Sequence, residues 1–216
     1  MLSIEHLRCI RDERVLFSDL NFTVGDGELV QVEGPNGSGK TTLLRIIAGL
    51  GRSDAGVVNW NGLDICEARE DFYQDLLFLG HQTGVKRELT VLENLQFFQS
   101  MFPCTKGLLT GDAPVTGNNA IFDALALVGL AGREDVLAGQ LSAGQQRRVA
   151  LARLWLSDHK LWILDEPLTA IDKQGVQVLE RLFLAHVARN GMVLLTTHQD
   201  MFVQNEKLRK IRLGHA

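Results

Sequence analysis

Glu28-Leu29-Val30-Gln31-Val32-Glu33-Gly34-Pro35-Asn36-Gly37-Ser38-Gly39-Lys40-Thr41-Thr42 passes from an alternating, strand-like stretch through a glycine-rich turn into a helix-forming one. The turn has the spacing G-x-x-x-x-G-K-[ST] and stands between a strand and a helix, the context that gives this spacing its meaning. Gly34, Gly37 and Gly39 let the backbone curl so that successive N–H groups face one anion, and the helix N-terminus adds its dipole. Pro35, Asn36 and Ser38 complete the loop. Lys40 can reach β- and γ-phosphates, the Thr41 hydroxyl can ligate Mg²⁺, and Thr42 also lies at the phosphate end. The segment reads as a nucleoside triphosphate site in an α/β fold. Lys40 to Leu50 continues as a helix, with Leu43, Leu44, Ile46 and Ile47 apolar and Gly49 and Gly51 as stop signals.

Downstream, Asn61-Gly62 is a turn signal after the strand-like Gly56 to Trp60. Leu76 to Leu79 is a short buried-strand candidate that ends at Gly80-His81-Gln82. From about Thr90 to Leu156 the pattern turns helical. Thr90-Val91-Leu92-Glu93 has capping-box form, and Leu92, Leu95 and Phe98 supply a helix-spaced face. Gly107 to Asn119 is rich in Gly, Thr, Pro and Asn and reads as a long surface loop, and Ala120 to Val128 reads as helix again. The strand pattern then returns at Lys160 to Leu164 and at Met192 to Thr197, with a helix over Lys173 to Arg189 between them. That is a βαβ unit, which predicts a parallel sheet. The helical stretch is therefore an insertion: about 1–89 and 157–216 form an α/β lobe, and about 90–156 a helical subdomain.

Two further motifs carry chemistry. Asp165 and Glu166 follow four apolar residues and precede Pro167, at the C-terminal end of a strand, where α/β folds place ligand chemistry. Asp165 is suited to hold Mg²⁺, directly or through water, and Glu166 to orient and activate an attacking water as general base. The second motif is Leu141-Ser142-Ala143-Gly144-Gln145, just ahead of that acidic strand end. Ser142-x-x-Gln145 is a capping box, so it starts a helix. The Ser142 hydroxyl and the Gly144 N–H at that helix N-terminus also make an anion site. One chain needs no second phosphate site for its own nucleotide, which points to a nucleotide bound by another copy.

The rest of the composition narrows the classes. With 216 residues the chain can bury a real core. A net charge of -4 argues against broad attraction to nucleic acid. Cys9, Cys66 and Cys104 are far apart and have no CxxC or CxxCH spacing, which fits a reducing compartment and offers no metal or haem attachment. Met1 to His6 lacks the basic-then-apolar pattern of a signal peptide, and no run of about 18 apolar residues exists, so any membrane role is expected to come through a partner.

Together these motifs resemble those of the ATP-binding-cassette (ABC) ATPases, over about Leu2 to His198. The resemblance implies a P-loop NTPase (RecA-like) α/β core with a parallel sheet, an antiparallel N-terminal β region and an inserted helical subdomain. It also implies ATP and Mg²⁺ as ligands. In that family the signature turn of one subunit, here Ser142, Gly144 and Gln145, closes on the phosphate-loop nucleotide of the other, so a second copy of the chain is the expected partner. By the same resemblance Gln82 is the Mg²⁺- and water-contacting glutamine, on a loop that also touches a transmembrane partner. Asp172, in Leu168 to Asp172, lies on the loop that crosses the dimer interface. His198 is the switch histidine that contacts the γ-phosphate.

Two positions depart from the family pattern. Ala143 replaces the first glycine of the signature, and being small it leaves nucleotide capping possible. The stretch Cys9 to Arg14 holds no aromatic where the family stacks adenine on one, which leaves Ile10 or Arg11 to cover the base. The wording of Leu79 to Gly84, Glu88 to Leu95 and Leu141 to Leu156 resembles one bacterial branch, the ATP-binding subunit of the haem exporter of cytochrome c maturation. That branch implies integral-membrane partner subunits, a peripheral position on the cytoplasmic face of the inner membrane, no nucleic acid partner and no haem site on this chain. The alternatives are the ATPase of another small exporter and a soluble ABC ATPase. DNA-repair members of the soluble kind insert a long coiled coil and translation-type members carry two cassettes, and neither feature is here.

Overall fold

Two sheets built on different sequence rhythms make up the first unit of the chain. The computed structural model describes residues 1–104, 117–199 and 208–214. They divide into two compact units, one of Met1–Gly80, His159–Glu166 and His186–Ala216, the other of His81–Asp158 and Pro167–Ala185.

In the first unit, β1 (Leu2–Arg11), β2 (Arg14–Val24), β4 (Ala55–Trp60) and β5 (Leu63–Asp64) form an antiparallel sheet in the order β2-β1-β4-β5. The turn at Asn61 and Gly62 has two residues at positive φ, 52° and 84°, as a two-residue hairpin requires. Asp12 and Glu13, at 48° and 62°, make the same kind of turn between β1 and β2. β1 is bulged: its pairing with β2 shifts register between Ile4 and Leu7, and His6 has φ 51°. The buried set therefore changes from Leu2 and Ile4 to Leu7 and Cys9.

The second sheet is parallel throughout, in the order β6-β7-β8-β3-β9: β6 (Leu76–Leu79), β7 (Leu161–Asp165), β8 (Met192–Thr196), β3 (Leu29–Glu33) and β9 (Leu208–Arg212). β7 and β8 are buried at every position, as strands covered on both faces are. One helix, α1 (Lys40–Ile47), packs against β7, and its Leu43, Leu44, Ile46 and Ile47 join Leu2, Ile4, Val30, Val32, Ile163 and Leu194 in one apolar cluster. α1 thus sits in a core shared by both sheets, and its N-terminus has a fixed place at the end of β3. A short helix, α2 (Arg69–Asp75), precedes β6.

The unit ends on a ring stack. His186 lies 3.7 Å from Trp162 between centroids, with ring planes 6° apart, and its Nε2 is 3.2 Å from the Lys160 carbonyl. Burial pushes the His186 pKa down from 6.5 to about 4, against the backbone bonds to Lys160 and Met192 that raise it.

In the second unit α3 (Val91–Met101), α4 (Asn118–Leu127) and α5 (Ala143–Ala152) pack on one another. α3 and α5 both start with a complete capping box, from Thr90 and Glu93 and from Ser142 and Gln145. The helix α6 (Lys173–Ala188) follows β7. The α/β class, the parallel sheet and the antiparallel N-terminal region agree with the reading of the sequence. The strands β1, β2 and β9 and the helix α2 were not read from it. Of the surface loop read at Gly107 to Asn119, residues 107–116 lie outside the described residues. No helix among the described residues is long and apolar enough to cross a membrane.

Candidate functional site

In the first unit the residues Gly34 to Gly39 carry the chain from the end of β3 to the start of α1. Gly39 is the N-cap of α1 at φ 91° and no side chain caps the helix, so its first N–H groups are open to an anion. Gly37, at φ 79°, faces open space, whereas a Cβ on Gly34 would stand 2.7 Å from the Ser38 hydroxyl. Lys40 is folded back over the loop, its Nζ donating to the carbonyls of Gly34 at 2.7 Å and Pro35 at 3.1 Å. The Ser38 hydroxyl is buried with no hydrogen-bond partner. A buried orphan hydroxyl costs about 1–3 kcal/mol, so this is a loop shaped for an acceptor that only a bound group supplies. Thr41 is exposed and Thr42 half-buried, both in the first turn of α1.

Asp165 closes β7 and is buried. The Thr196 hydroxyl, on the neighbouring strand β8, donates to Asp165 Oδ1 at 2.8 Å and accepts from the Glu166 N–H at 3.0 Å. One hydroxyl thereby orients two consecutive acids. Glu166 has φ 50°, in the left-handed region that a residue with a Cβ seldom enters. That turn brings Glu166 Oε1 to 3.4 Å from His198 Nε2, just past the end of β8. The two residues form a partly solvated acid–imidazole pair at the C-terminal rim of the parallel sheet. Thr196, which joins the two acids, was not singled out in the sequence; its signal was a polar residue closing a strand otherwise made of Met192, Val193, Leu194 and Leu195.

The remaining residues singled out belong to the second unit. Gln82 is exposed, on a loop held by Arg153, which donates to the carbonyls of Thr83 at 3.2 Å and Gly84 at 3.0 Å. Ser142 and Gln145 engage each other: Ser142 Oγ accepts from the Gln145 N–H at 3.2 Å, and Gln145 Oε1 accepts from the Ser142 N–H at 3.0 Å. A Cβ on Gly144 would meet Ala170 at 3.5 Å, an ordinary contact. Asp172 is exposed and uses both oxygens, one accepting the Gly175 N–H at 2.8 Å and the other Arg148 Nη2 at 2.8 Å. These bonds, the one from Gly175 foremost, hold its carboxyl below the usual aspartate range.

Arg11 is not free to cover a base. Its guanidinium donates to the carbonyls of Ile10 and Arg52 and to Asp54. The groove beside the phosphate loop is lined instead by Arg8, Arg14, Val15, Leu16, Ser18, Gly37 and Ser38. Among the described residues no three His, Cys, Asp or Glu side chains converge on a metal position. The hard oxygen donors that remain, the Thr41 hydroxyl and the Asp165 carboxylate, suit Mg²⁺ shared with phosphates rather than a metal cage of protein ligands.

A family model described as ABC transporter matches residues 17–169. The cytochrome c biogenesis ATP-binding export protein CcmA of Photobacterium profundum is 71% identical over 215 residues, covering 99% of this chain and 100% of that protein. An ABC transporter ATP-binding protein from Pyrococcus furiosus has a similar structure, with a TM-score of 0.78, 26% identity, and coverage of 98% of this chain and 96% of that one. An ATP-binding cassette solved as a dimer in a post-hydrolysis state with ADP and phosphate aligns at a TM-score of 0.71 and 25% identity, over 92% of this chain and 88% of that one.

Proposed function

The chain belongs to the ABC transporter family, and from that premise we propose that it hydrolyses ATP at a site completed by a second copy of itself, to drive haem export or release of a haem chaperone in cytochrome c maturation. The cargo in this reading comes from the 71% identity to a cytochrome c biogenesis export protein. The chemistry comes from one observation: an acid held at the sheet rim by Thr196 and paired with His198, in the same unit as a phosphate loop whose buried Ser38 hydroxyl has no partner.

Phosphates entering the loop take N–H groups of the glycine loop and of the first turn of α1, and Lys40 exchanges the carbonyls of Gly34 and Pro35 for phosphate oxygens. Glu166 accepts the proton of the attacking water, and His198 holds Glu166 in place and reaches toward the terminal phosphate. Gln82 is the residue that resemblance to the family assigns to the water and to Mg²⁺. Thr41, Gln82 and Asp165 are the residues to hold Mg²⁺, which when bound neutralises phosphate charge. Ser142, Gly144, Gln145 and Asp172 form the surface offered to the nucleotide of the other copy. Integral-membrane subunits complete the transporter, with this chain peripheral on the cytoplasmic face of the inner membrane.

General-base help is worth about 10²–10⁴ in rate. Glu166→Gln should lose that factor in turnover, keep Mg-ATP binding, and run as an ATP-bound dimer by size-exclusion chromatography with light scattering. Undiminished turnover would overturn the assignment of the base. Deletion of the gene should abolish c-type cytochromes while sparing other haem proteins, and unchanged c-type cytochromes would remove the cargo assignment.

A further inference from the structure

We propose that Arg153 is a positioning residue for Gln82, its guanidinium holding the two carbonyls that follow Gln82 in the chain, a role that rests on the reading of Gln82 as the residue that meets the attacking water and Mg²⁺. Gln82 is exposed, and among the described residues its amide makes no hydrogen bond. Its place is therefore set by the backbone beside it. Arg153, the C-cap of α5, donates from Nη1 to the Thr83 carbonyl at 3.2 Å and from Nη2 to the Gly84 carbonyl at 3.0 Å. Gly84 turns at φ 61°, and a Cβ there would stand 3.5 Å from Nη1, so the guanidinium lies against that turn. The far end of the loop is fastened separately. Buried Asn94 accepts the Lys86 N–H at 2.8 Å and donates to the carbonyls of Lys86 at 2.9 Å and Thr90 at 2.9 Å. Of these two fastenings, Arg153 is the one next to Gln82.

A cation is a costly brace for a loop. Burial pushes the Arg153 pKa below the usual arginine value, and among the described residues no carboxylate pairs with the guanidinium. Its Nε is buried without a hydrogen-bond partner, and its Cζ lies 5.7 Å from the centre of the Phe98 ring. An apolar side chain of similar length would pack on Phe98 without stranding a donor, and exchanging a buried charge for such a side chain is often neutral or stabilising. What the apolar chain does not supply is a planar pair of donors matched to the carbonyls of two consecutive residues. The arginine is accounted for by the orientation it gives the loop, not by stability.

The test is ATP turnover of the full chain against Mg²⁺ concentration, with thermal unfolding alongside, in Arg153→Met, Gln82→Ala and the double variant. Met keeps the apolar contact with Phe98 and removes both donors. Losing a residue that orients a metal- or water-contacting group costs about 10–100-fold in activity or metal affinity. Arg153→Met should lower kcat by about that factor and raise the Mg²⁺ concentration for half-maximal turnover. The Kd for ATP without Mg²⁺ should not change, because the phosphate loop is untouched. In the Gln82→Ala background the same substitution should cost less than about twofold, because the residue it acts through is gone. Arg153→Lys keeps the cation without the planar fork, and should lose turnover in the same Gln82-dependent way even if Arg153→Met does not fold. Equal losses in both backgrounds would overturn the inference. A lowered Tm with turnover intact would overturn it too, leaving Arg153 a packing residue while Gln82 keeps its role. If Gln82→Ala itself leaves turnover and Mg²⁺ dependence unchanged, the reading of Gln82 falls and the positioning role with it.

Discussion

Gly191→Ala should destabilise the protein by about 3 kcal/mol, although the residue is remote from the phosphates and its backbone suits alanine. A Cβ at Gly191 would lie 2.3 Å from His186 Nε2 and 2.4 Å from both Cδ2 and Cε1. The imidazole has nowhere to go. Trp162 covers its face at 3.7 Å, and Nε2 faces the Lys160 carbonyl at 3.2 Å. The backbone of Gly191 is held too, by its N–H on the His186 carbonyl at 3.0 Å and its carbonyl on the Gly27 N–H at 3.0 Å. Overpacking of this kind costs about 1–3 kcal/mol, and losing a ring stack adds about 0.5–1.5 kcal/mol. In a domain of this size that is about 6–12 °C in Tm. The assay is thermal unfolding by circular dichroism of Gly191→Ala, His186→Ala and the double variant. In the His186→Ala background the added methyl should be neutral or stabilise by about 0.5 kcal/mol, through reduced freedom of the unfolded chain. A Tm within about 1 °C of wild type, or the same loss in both backgrounds, would refute the steric account.

His186 also gives the protein a pH dependence. Its folded pKa is lowered from 6.5 to about 4, so the unfolded chain binds the extra proton first as pH falls. The stability at stake is fully present above about pH 6.5 and is lost progressively toward pH 4, up to about 3 kcal/mol. Urea unfolding at pH 7 and pH 4.5 measures it, and His186→Phe should flatten the difference. Thr196→Val removes the hydroxyl that joins Asp165 to the Glu166 N–H, and should cost about 1–3 kcal/mol in stability while also lowering ATP turnover. Calorimetry together with a phosphate-release assay reads both. Arg148→Ala releases one oxygen of Asp172, and should lower turnover about tenfold at unchanged nucleotide Kd. A raised Kd with full turnover would show that Arg148 does not act through Asp172.

Much of this architecture was legible because its chemistry is local. The strand, glycine loop and helix from Glu28 to Leu50 are adjacent in sequence, and so are Leu161 to Asp165. Both N-terminal capping boxes could be read from four residues each. What was missed depends on partners distant in sequence. β1 hides its alternation because the bulge at His6 moves the buried set from even to odd positions. The carbonyls of Glu5 and His6 at that bulge stand within 2.5 Å of where a Cβ on Gly56 would be, so the bulge needs a glycine from another strand. β9 reads as a basic run, Arg209, Lys210 and Arg212, and becomes a strand only by its parallel ladder with β3, where Glu28 and Glu33 neutralise it. The same limit applies to the site. Asp165, Glu166 and His198 could be placed at strand ends, but the hydroxyl that orients the first two comes from about 30 residues later in the chain.

With Glu166 as the proposed general base, its positive φ sets protein stability and ATP turnover against each other at one position. Holding a glutamate there costs about 1 kcal/mol that a glycine would not incur. Selection for heat resistance alone would therefore be expected to drift toward glycine at this position and to yield a sturdier protein with no general base. The glutamate persists only while turnover is itself under selection, so a long-heated, unselected lineage would record in that one codon when its transport ceased to matter.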